Sequence, residues 1–320
     1  MTDRSVQVVH RQRTRNDVWP SVTVVVPTRD RPQLLQRALK SIVGQRYPGD
    51  IECVVVFDQS EPAMPSVGLQ EERHLRGISN ERTPGLAGAR NMGALASRGE
   101  LVAFCDDDDE WLPDKLRLQV EALNVNGKAA VATCGVFVQY AGRTFRRVPP
   151  TRLVTLRHLL RSRMMELHPS TILVRRSELV GRIGLVDEAI PGSYGEDYEW
   201  LLRAARWAPL VALPQPLVRI HWHRSSWFAD RWPTISAGLT YLLKKHPEFG
   251  QDARGLARIM GQIAFAHAAT GQARLARHWA GRCLRLNWRE RRAYLAVAVS
   301  LGIVRAETIV RLAHTAGRGI

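Results

Sequence analysis

Leu101-Val-Ala-Phe-Cys105 runs directly into Asp106-Asp107-Asp108-Asp109. An apolar, strand-forming segment thus delivers four consecutive carboxylates to one point. Neighbouring carboxylates repel by on the order of 1 kcal/mol even in water, and by more in a cleft. Hard divalent cations prefer carboxylate oxygens and bridge readily to phosphate. The segment therefore reads as a metal–phosphate site at the carboxyl end of a strand; the competing reading is a solvated acidic turn.

Working outward, Val22-Thr-Val-Val-Val26, stopped by Pro27, reads as a buried parallel strand. Pro32 opens a helix with Leu34, Leu35, Ala38, Leu39 and Ile42 on one face. Glu52 to Phe57 predicts a second strand ending at Asp58, and Leu101 to Cys105 a further one. Arg90 to Ser97, after the turn Pro84-Gly85-Leu86-Ala87-Gly88, and Pro113 to Leu123 predict helices. This alternation predicts an α/β, doubly wound sheet with parallel strands. Ligands of such sheets lie beyond the carboxyl ends of the strands, which gathers Thr28, Asp58 and Asp106 to Asp109 on one rim. Tyr198 to Ala205 reads as a helix with Glu196 and Asp197 at its N-terminus, where acids also serve simply as caps.

Past residue 228 the texture becomes rich in Ala, Leu and Arg, and Gly271 to Arg285 reads as helix. The apolar stretch between Arg292 and Arg305 is too short to span a bilayer and is either a buried or an interfacial helix. The expected organisation is a basic N-terminal segment (1–19), an α/β domain (20–228) and a helical C-terminal extension (229–320).

The chain has 320 residues, 45% of them apolar, enough for a large core. No apolar run reaches spanning length, and no hydrophobic leader follows Met1, so a cytoplasmic location is expected. Four scattered cysteines suit neither a zinc site nor a disulfide framework and read as buried small hydrophobes. A net charge of +16 implies attraction to polyanions. No nucleic-acid motif accompanies it, so an anionic lipid surface, at the inner face of the cell membrane, is favoured over nucleic acid.

With these pieces placed, the chain resembles a family 2 glycosyltransferase of the GT-A fold over roughly residues 20 to 226. Val24-Val-Val-Pro-Thr-Arg-Asp-Arg-Pro32 resembles the family's first strand and nucleotide loop. Val54-Val-Val-Phe-Asp-Gln-Ser60 resembles its second strand, with Phe57 and Gln59 where the family usually has an acid and a glycine. Gly85-Leu-Ala-Gly-Ala-Arg-Asn91 resembles the Gly-x-x-x-Ala-Arg-Asn segment, and Asp106 to Leu116 the Asp-x-Asp metal motif with its helix. Gly195 to Arg203 resembles the Glu-Asp segment that supplies the catalytic base, and Arg219-Ile-His221 the closing Arg-x-His segment. Six such segments occur in the family's order.

The resemblance implies a GT-A, Rossmann-like, mixed but mostly parallel sheet flanked by helices. It implies an inverting transfer of a sugar from a nucleoside-diphosphate sugar, a UDP-sugar being favoured, to an acceptor hydroxyl of a glycan or lipid-linked acceptor in cell-surface glycan or glycolipid synthesis. Mn2+ or Mg2+ would be the cofactor. Asp108 would ligate the metal, with His221 as a further metal or phosphate contact. Pro27, Thr28, Arg29, Asp58 and Arg90, with Asp106 and Asp107, would hold the nucleotide. Asp109 is expected to be solvated. Asp197 would be the general base and Glu196 its helper or a donor contact. Trp222, Trp227, Phe228 and Trp232 would stack on an acceptor sugar, anchor at a membrane interface, or pack between domain and extension. The alternatives are a nucleotidyltransferase, whose Gly-rich, Lys-bearing loop is missing from Val24 to Pro32, and a non-catalytic protein that binds membranes or polyanions on a transferase fold.

Overall fold

The computed structural model describes residues 19–222 and 231–315. The expected N-terminal segment, Trp227 and Phe228 thus lie outside the described residues, Trp19 excepted. The strands are β1 (Val22–Thr28), β2 (Ile51–Phe57), β3 (Arg73–Ser79), β4 (Leu101–Phe104), β5 (Glu110–Trp111), β6 (Val131–Tyr140), β7 (Arg143–Arg147), β8 (Leu153–Val154), β9 (Leu173–Arg175) and β10 (Leu210–His221). The helices up to β10 are α1 (Pro32–Val43), α2 (Leu86–Ala96), α3 (Lys115–Val125), α4 (Leu156–Arg161), α5 (Arg176–Val180) and α6 (Glu196–Trp207). After it come α7 (Trp232–Lys245), α8 (Ala253–Ala269), α9 (Ala273–Leu286), α10 (Arg291–Ser300) and α11 (Ala306–Thr315).

The strand order is β3-β2-β1-β4-β9-β6-β10-β5, with β7 on β6 and β8 on β10. Strand β1 is central, and all seven of its residues are buried, which is why it reads as an unbroken β-branched run. Val22, Val24 and Val26 face one core with Leu35, Leu39 and Ile42 of α1 and Leu116, Val120 and Leu123 of α3. Val25 faces the other, shared with α2, α4 and α6. The close approach of α2 to β1 depends on Gly93, where an added Cβ would stand 2.3 Å from Val25 Cγ1.

The sheet is mixed. β1, β2, β3 and β4 run parallel, whereas the short β9 is antiparallel to both β4 and β6. Strand β10 runs parallel to β6 through two register shifts between Leu213 and Val218, and beyond them pairs with β5, Arg219 opposite Glu110. Such irregularities bend a strand and re-aim its side chains, here lifting Arg219 and His221 to the rim.

The C-terminal helices pack onto the α/β unit. Ile235, Leu239 and Leu242 of α7 and Ile259 and Ile263 of α8 belong to the same apolar cluster as Tyr198, Leu201 and Leu202 of α6. The other side of α8 (Ala257, Met260, Ala264, Phe265) builds a further cluster with α9, α10 and α11. Helix α8 therefore has two buried faces, and polar groups are largely kept from its middle. No helix among the described residues is long and apolar enough to cross a membrane. All four cysteines are buried and free, as expected.

Candidate active site

The ends of β1, β2 and β4 open onto one cleft. Thr28 closes β1, and its hydroxyl donates to Asp107 Oδ2 at 2.7 Å. Arg31 donates Nη1 to Asp107 Oδ1 and Asp108 Oδ2, both at 3.3 Å. Burial pushes the Asp107 carboxyl up to about 6, against the Thr28 hydrogen bond. Pro27 is buried within β1, whereas Arg29 is exposed beside Asp30.

Asp58 follows β2 and is committed to shaping a loop. It accepts from the Gly85 N–H at 3.0 and 3.1 Å and from Asn80 Nδ2 at 2.8 Å. Gly85 has φ +112°, a conformation that glycine adopts without steric cost, and it feeds directly into α2.

Helix α2 presents Arg90, only 3% exposed, to two acids at once. Its Nη2 donates to Asp106 Oδ1 at 2.6 Å, and its Nη1 donates to Glu196 Oε1. Burial works against ionisation of Asp106, but Arg90 and then His168 outweigh it and hold that carboxyl below the usual range. Burial pushes Glu196 upward despite Arg90. Asp197, the next residue, accepts from Arg163 Nη2 at 2.9 and 3.3 Å. The Arg163 guanidinium lies over the rings of Tyr194 and Tyr198 at 5.6 and 6.0 Å. Both acids occupy the first turn of α6, where the helix dipole favours negative charge.

The fourth carboxylate of the run is not solvated. Asp109 is 1% exposed and accepts from Ser170 Oγ at 2.5 Å, with His168 Nδ1 at 3.3 Å. Ser170 Oγ in turn accepts from the Asp106 N–H at 3.0 Å, and the Trp111 indole donates to the Ser170 carbonyl. The antiparallel insertion leading into β9 thus folds beneath the acidic run and shields it from water. Burial pushes the Asp109 carboxyl well up and the His168 imidazole down.

Asp106, Asp109 and His168 form a group whose ligand-type atoms all lie within 4.8 Å of one another. Carboxylate oxygens with one imidazole nitrogen suit Mn2+ or Mg2+, so the donor set fits the metal that the Asp-x-Asp motif implies. Asp108 keeps its carboxylate at the cleft rim, paired with Arg31. His221 lies beside the end of the run: its Nε2 is 2.7 Å from Glu110 Oε1, Arg219 flanks the same carboxylate at 3.7 Å, and Arg37 reaches both Glu110, at 3.3 Å, and the Asp108 carbonyl, at 3.1 Å. Trp222 is half-buried, with the Arg147 guanidinium 5.3 Å from its ring centroid. The structure thus unites Thr28, Arg90, Asp106, Asp107, Asp108, Glu196 and Asp197 through direct contacts or shared partners. It adds His168, Ser170 and Arg163, which lie outside every quoted segment, and Arg31, which the first segment contains but to which no role was given.

The family model for glycosyl transferase family 2 matches residues 23–179, which include Thr28, Arg90, the acidic run and His168 but not Glu196 or Asp197. Over those residues the chain belongs to that family. It is 33% identical over 144 residues to the succinoglycan biosynthesis protein ExoO of Rhizobium meliloti, covering 45% of this chain and 41% of that one. It is 36% identical over 109 residues to the GalNAc(5)-diNAcBac-PP-undecaprenol beta-1,3-glucosyltransferase of Campylobacter jejuni, covering 33% and 35%. The chain therefore spans about two fifths or less of the length of these curated relatives. Among solved structures, S. aureus TarS 1-349 in complex with UDP-GlcNAc superimposes with a TM-score of 0.59 at 17% identity, over 88% of this chain and 91% of that one. A mannosyltransferase from Pyrobaculum calidifontis, in complex with GDP-Man and Mn2+, gives 0.52 at 19% identity over 90% and 82%. These likenesses confirm the GT-A fold.

Proposed function

We propose that this protein is an inverting, metal-dependent glycosyltransferase that moves a sugar from a nucleoside-diphosphate sugar to an acceptor hydroxyl in cell-envelope polysaccharide or glycolipid synthesis. The observation that carries the proposal is Arg90, buried and shared between Asp106 of the acidic run and Glu196 of the α6 N-terminus. It ties the expected donor end of the cleft to the acid next to the expected base, Asp197. A UDP-sugar and a lipid-linked acceptor are the favoured substrates. An Escherichia coli relative, 27% identical over 105 residues, is named a UDP-Glc:alpha-D-GlcNAc-diphosphoundecaprenol beta-1,3-glucosyltransferase. An acceptor of that kind would place the protein at the inner face of the cell membrane.

Thr28, Arg31 and Asp107 would border the nucleotide. Asp106, Asp108 and His168, backed by Asp109, would hold the divalent cation, which supplies positive charge to the diphosphate leaving group. Asp197 would take the proton from the acceptor hydroxyl. Arg163 donates to that carboxylate and fixes its orientation, while leaving it lone pairs with which to accept. As the proton leaves, the acceptor oxygen bonds to the anomeric carbon and the carbon–oxygen bond to the diphosphate breaks on the opposite face. With one base and no second carboxylate acting as nucleophile, the step is a single displacement, and anomeric configuration inverts.

Asp197→Asn tests this reading. Donor affinity measured by calorimetry should stay within about twofold of wild type, while transfer falls at least about a hundredfold. Equal losses of binding and turnover would show that Asp197 is a binding residue and overturn the assignment.

A further inference from the structure

Between Arg231 and Arg311 the sequence holds twelve Arg and two Lys against four acids: Glu248, Asp252, Glu290 and Glu307. Three of those acids are already engaged, by Arg206, Arg161 and Arg292. The outer side of the helical extension is therefore strongly cationic.

On that cationic side lies a group of largely exposed apolar side chains. Ala293 and Ala296 turn inward from α10 with no exposure, whereas Tyr294 is 51%, Leu301 59% and Ile303 74% exposed. Tyr294 and Leu301, seven residues apart, share a helix face. Trp288, 66% exposed, joins them, because the Tyr294 hydroxyl donates to its carbonyl at 2.7 Å. Arg285, Arg289, Arg291 and Arg305 are exposed around this group, and the Arg289 guanidinium sits 4.8 Å from the Trp288 ring centroid. Large aromatic and aliphatic side chains rimmed by arginine are the composition of a helix that lies in the interface of a charged bilayer.

The helix that carries the patch is linked through its inner side and α8 to the candidate base. A Cβ added at Gly261 of α8 would meet Glu290 and Arg292 at 3.1 Å. Three residues earlier on α8, Arg258 donates to the Tyr198 hydroxyl at 3.0 Å, and the same Tyr198 ring carries Arg163, the partner of Asp197.

We propose that the α9–α10 turn and the outer face of α10 dock on an anionic bilayer. Trp288, Tyr294, Leu301 and Ile303 enter the headgroup region, and Arg285, Arg289, Arg291 and Arg305 pair with lipid phosphates. This deepens, and rests on, the reading of a lipid-linked acceptor. A second copy of the chain fits the patch poorly, since an isologous contact would set guanidiniums against guanidiniums. A nucleic acid would satisfy the arginines and leave Leu301 and Ile303 in water.

The test is co-sedimentation of the full chain with phosphatidylcholine vesicles, with and without phosphatidylglycerol, over a salt series. Wild type should bind the anionic vesicles and release as salt rises. The double variant Trp288→Glu/Tyr294→Glu should bind at least about tenfold more weakly, and Val125→Glu, an exposed site on α3, should bind like wild type. Because both changed side chains are largely exposed, thermal unfolding of the double variant should match wild type. Equal binding to neutral and anionic vesicles, wild-type-like binding by the double variant, or a wild-type dimer that the double variant splits would each overturn the proposal. The vesicle readouts do not need turnover: a wild type that transfers sugar yet does not bind anionic vesicles refutes the docking surface alone, and a wild type that binds vesicles yet transfers no sugar refutes the transferase reading alone.

Discussion

Glu199 lies two residues beyond Asp197 on α6 and has no exposed surface. Its carboxylate accepts from Arg203 Nε at 2.9 and 3.0 Å, Lys245 Nζ at 2.9 Å and His246 Nε2 at 3.2 Å. Burial alone would raise its pKa; the His246 hydrogen bond and Arg203 outweigh it and bring it down to about 2. A carboxyl depressed in the fold contributes stability that is present above its unfolded value, near 4.5, and lost as pH falls toward 2. A depression of that size corresponds to about 3 kcal/mol at neutral pH. Glu199→Gln keeps the shape and removes the charge. Lys245 retains Asp187 at 2.5 Å, and Arg203 retains the carbonyls of Ile183 and Leu185, so neither cation is left bare. The substitution should therefore lower the unfolding free energy by about 2–3 kcal/mol at pH 7, below the cost of orphaning a buried charge. In urea titrations the gap to wild type should narrow by about 1.5 kcal/mol near pH 3.5. Both proteins should unfold in one transition, because α6, α7 and α8 share an apolar cluster. A pH-independent gap, or one below about 0.5 kcal/mol, would refute the ionised hub.

Two further outcomes concern buried charge. Asp108→Ala and His168→Ala should each weaken Mn2+ binding in the presence of UDP by at least about tenfold in calorimetric titration; wild-type affinity in both would remove them from the cation site. Lys115 is fully buried, its ammonium has no hydrogen-bond partner among the described residues and rests 3.7 Å from the Trp111 ring centroid, and burial pushes its pKa down to about 8. The folded state then binds this proton less tightly than the unfolded chain, so the cost is full below pH 8 and fades as pH climbs toward the unfolded value near 10.4. Lys115→Met should stabilise by about 1–3 kcal/mol at pH 7, with wild type closing the gap by pH 10 in urea unfolding; a less stable variant at pH 7 would contradict it.

The elements legible in the sequence were those whose environment is uniform along their length. β1, β2 and β4 are buried on both faces, so their β-branched runs stand out unaided. β3 (RHLRGIS) was not anticipated because it is an edge strand, half-exposed, and its polar residues carry neither an apolar run nor a clean alternation. β9, three residues long and antiparallel, was invisible for want of length, and with it went the insertion that carries His168 and Ser170 under the acidic run. Their approach to Asp109 spans about sixty residues of chain and depends on that strand's direction, which composition does not encode. That is also why Asp109 was expected in solvent and is found beneath the strand end. Arg90 illustrates the converse: its motif marked it for the site, but only the fold shows it bridging Asp106 and Glu196.

The four cysteines have a practical consequence. Burial drives every one of these thiols upward, Cys134 to about 11, Cys283 to about 12, and Cys53 and Cys105 well above the usual thiol range. Since the thiolate is the reacting species, the folded chain should leave maleimides and mild oxidants untouched at neutral pH. A single cysteine placed at an exposed position, Val125 on α3 or Leu312 on α11, would then be the sole labelling site without any native cysteine being replaced. Spin labels or fluorophores could be attached there, and distances across the molecule followed through donor binding.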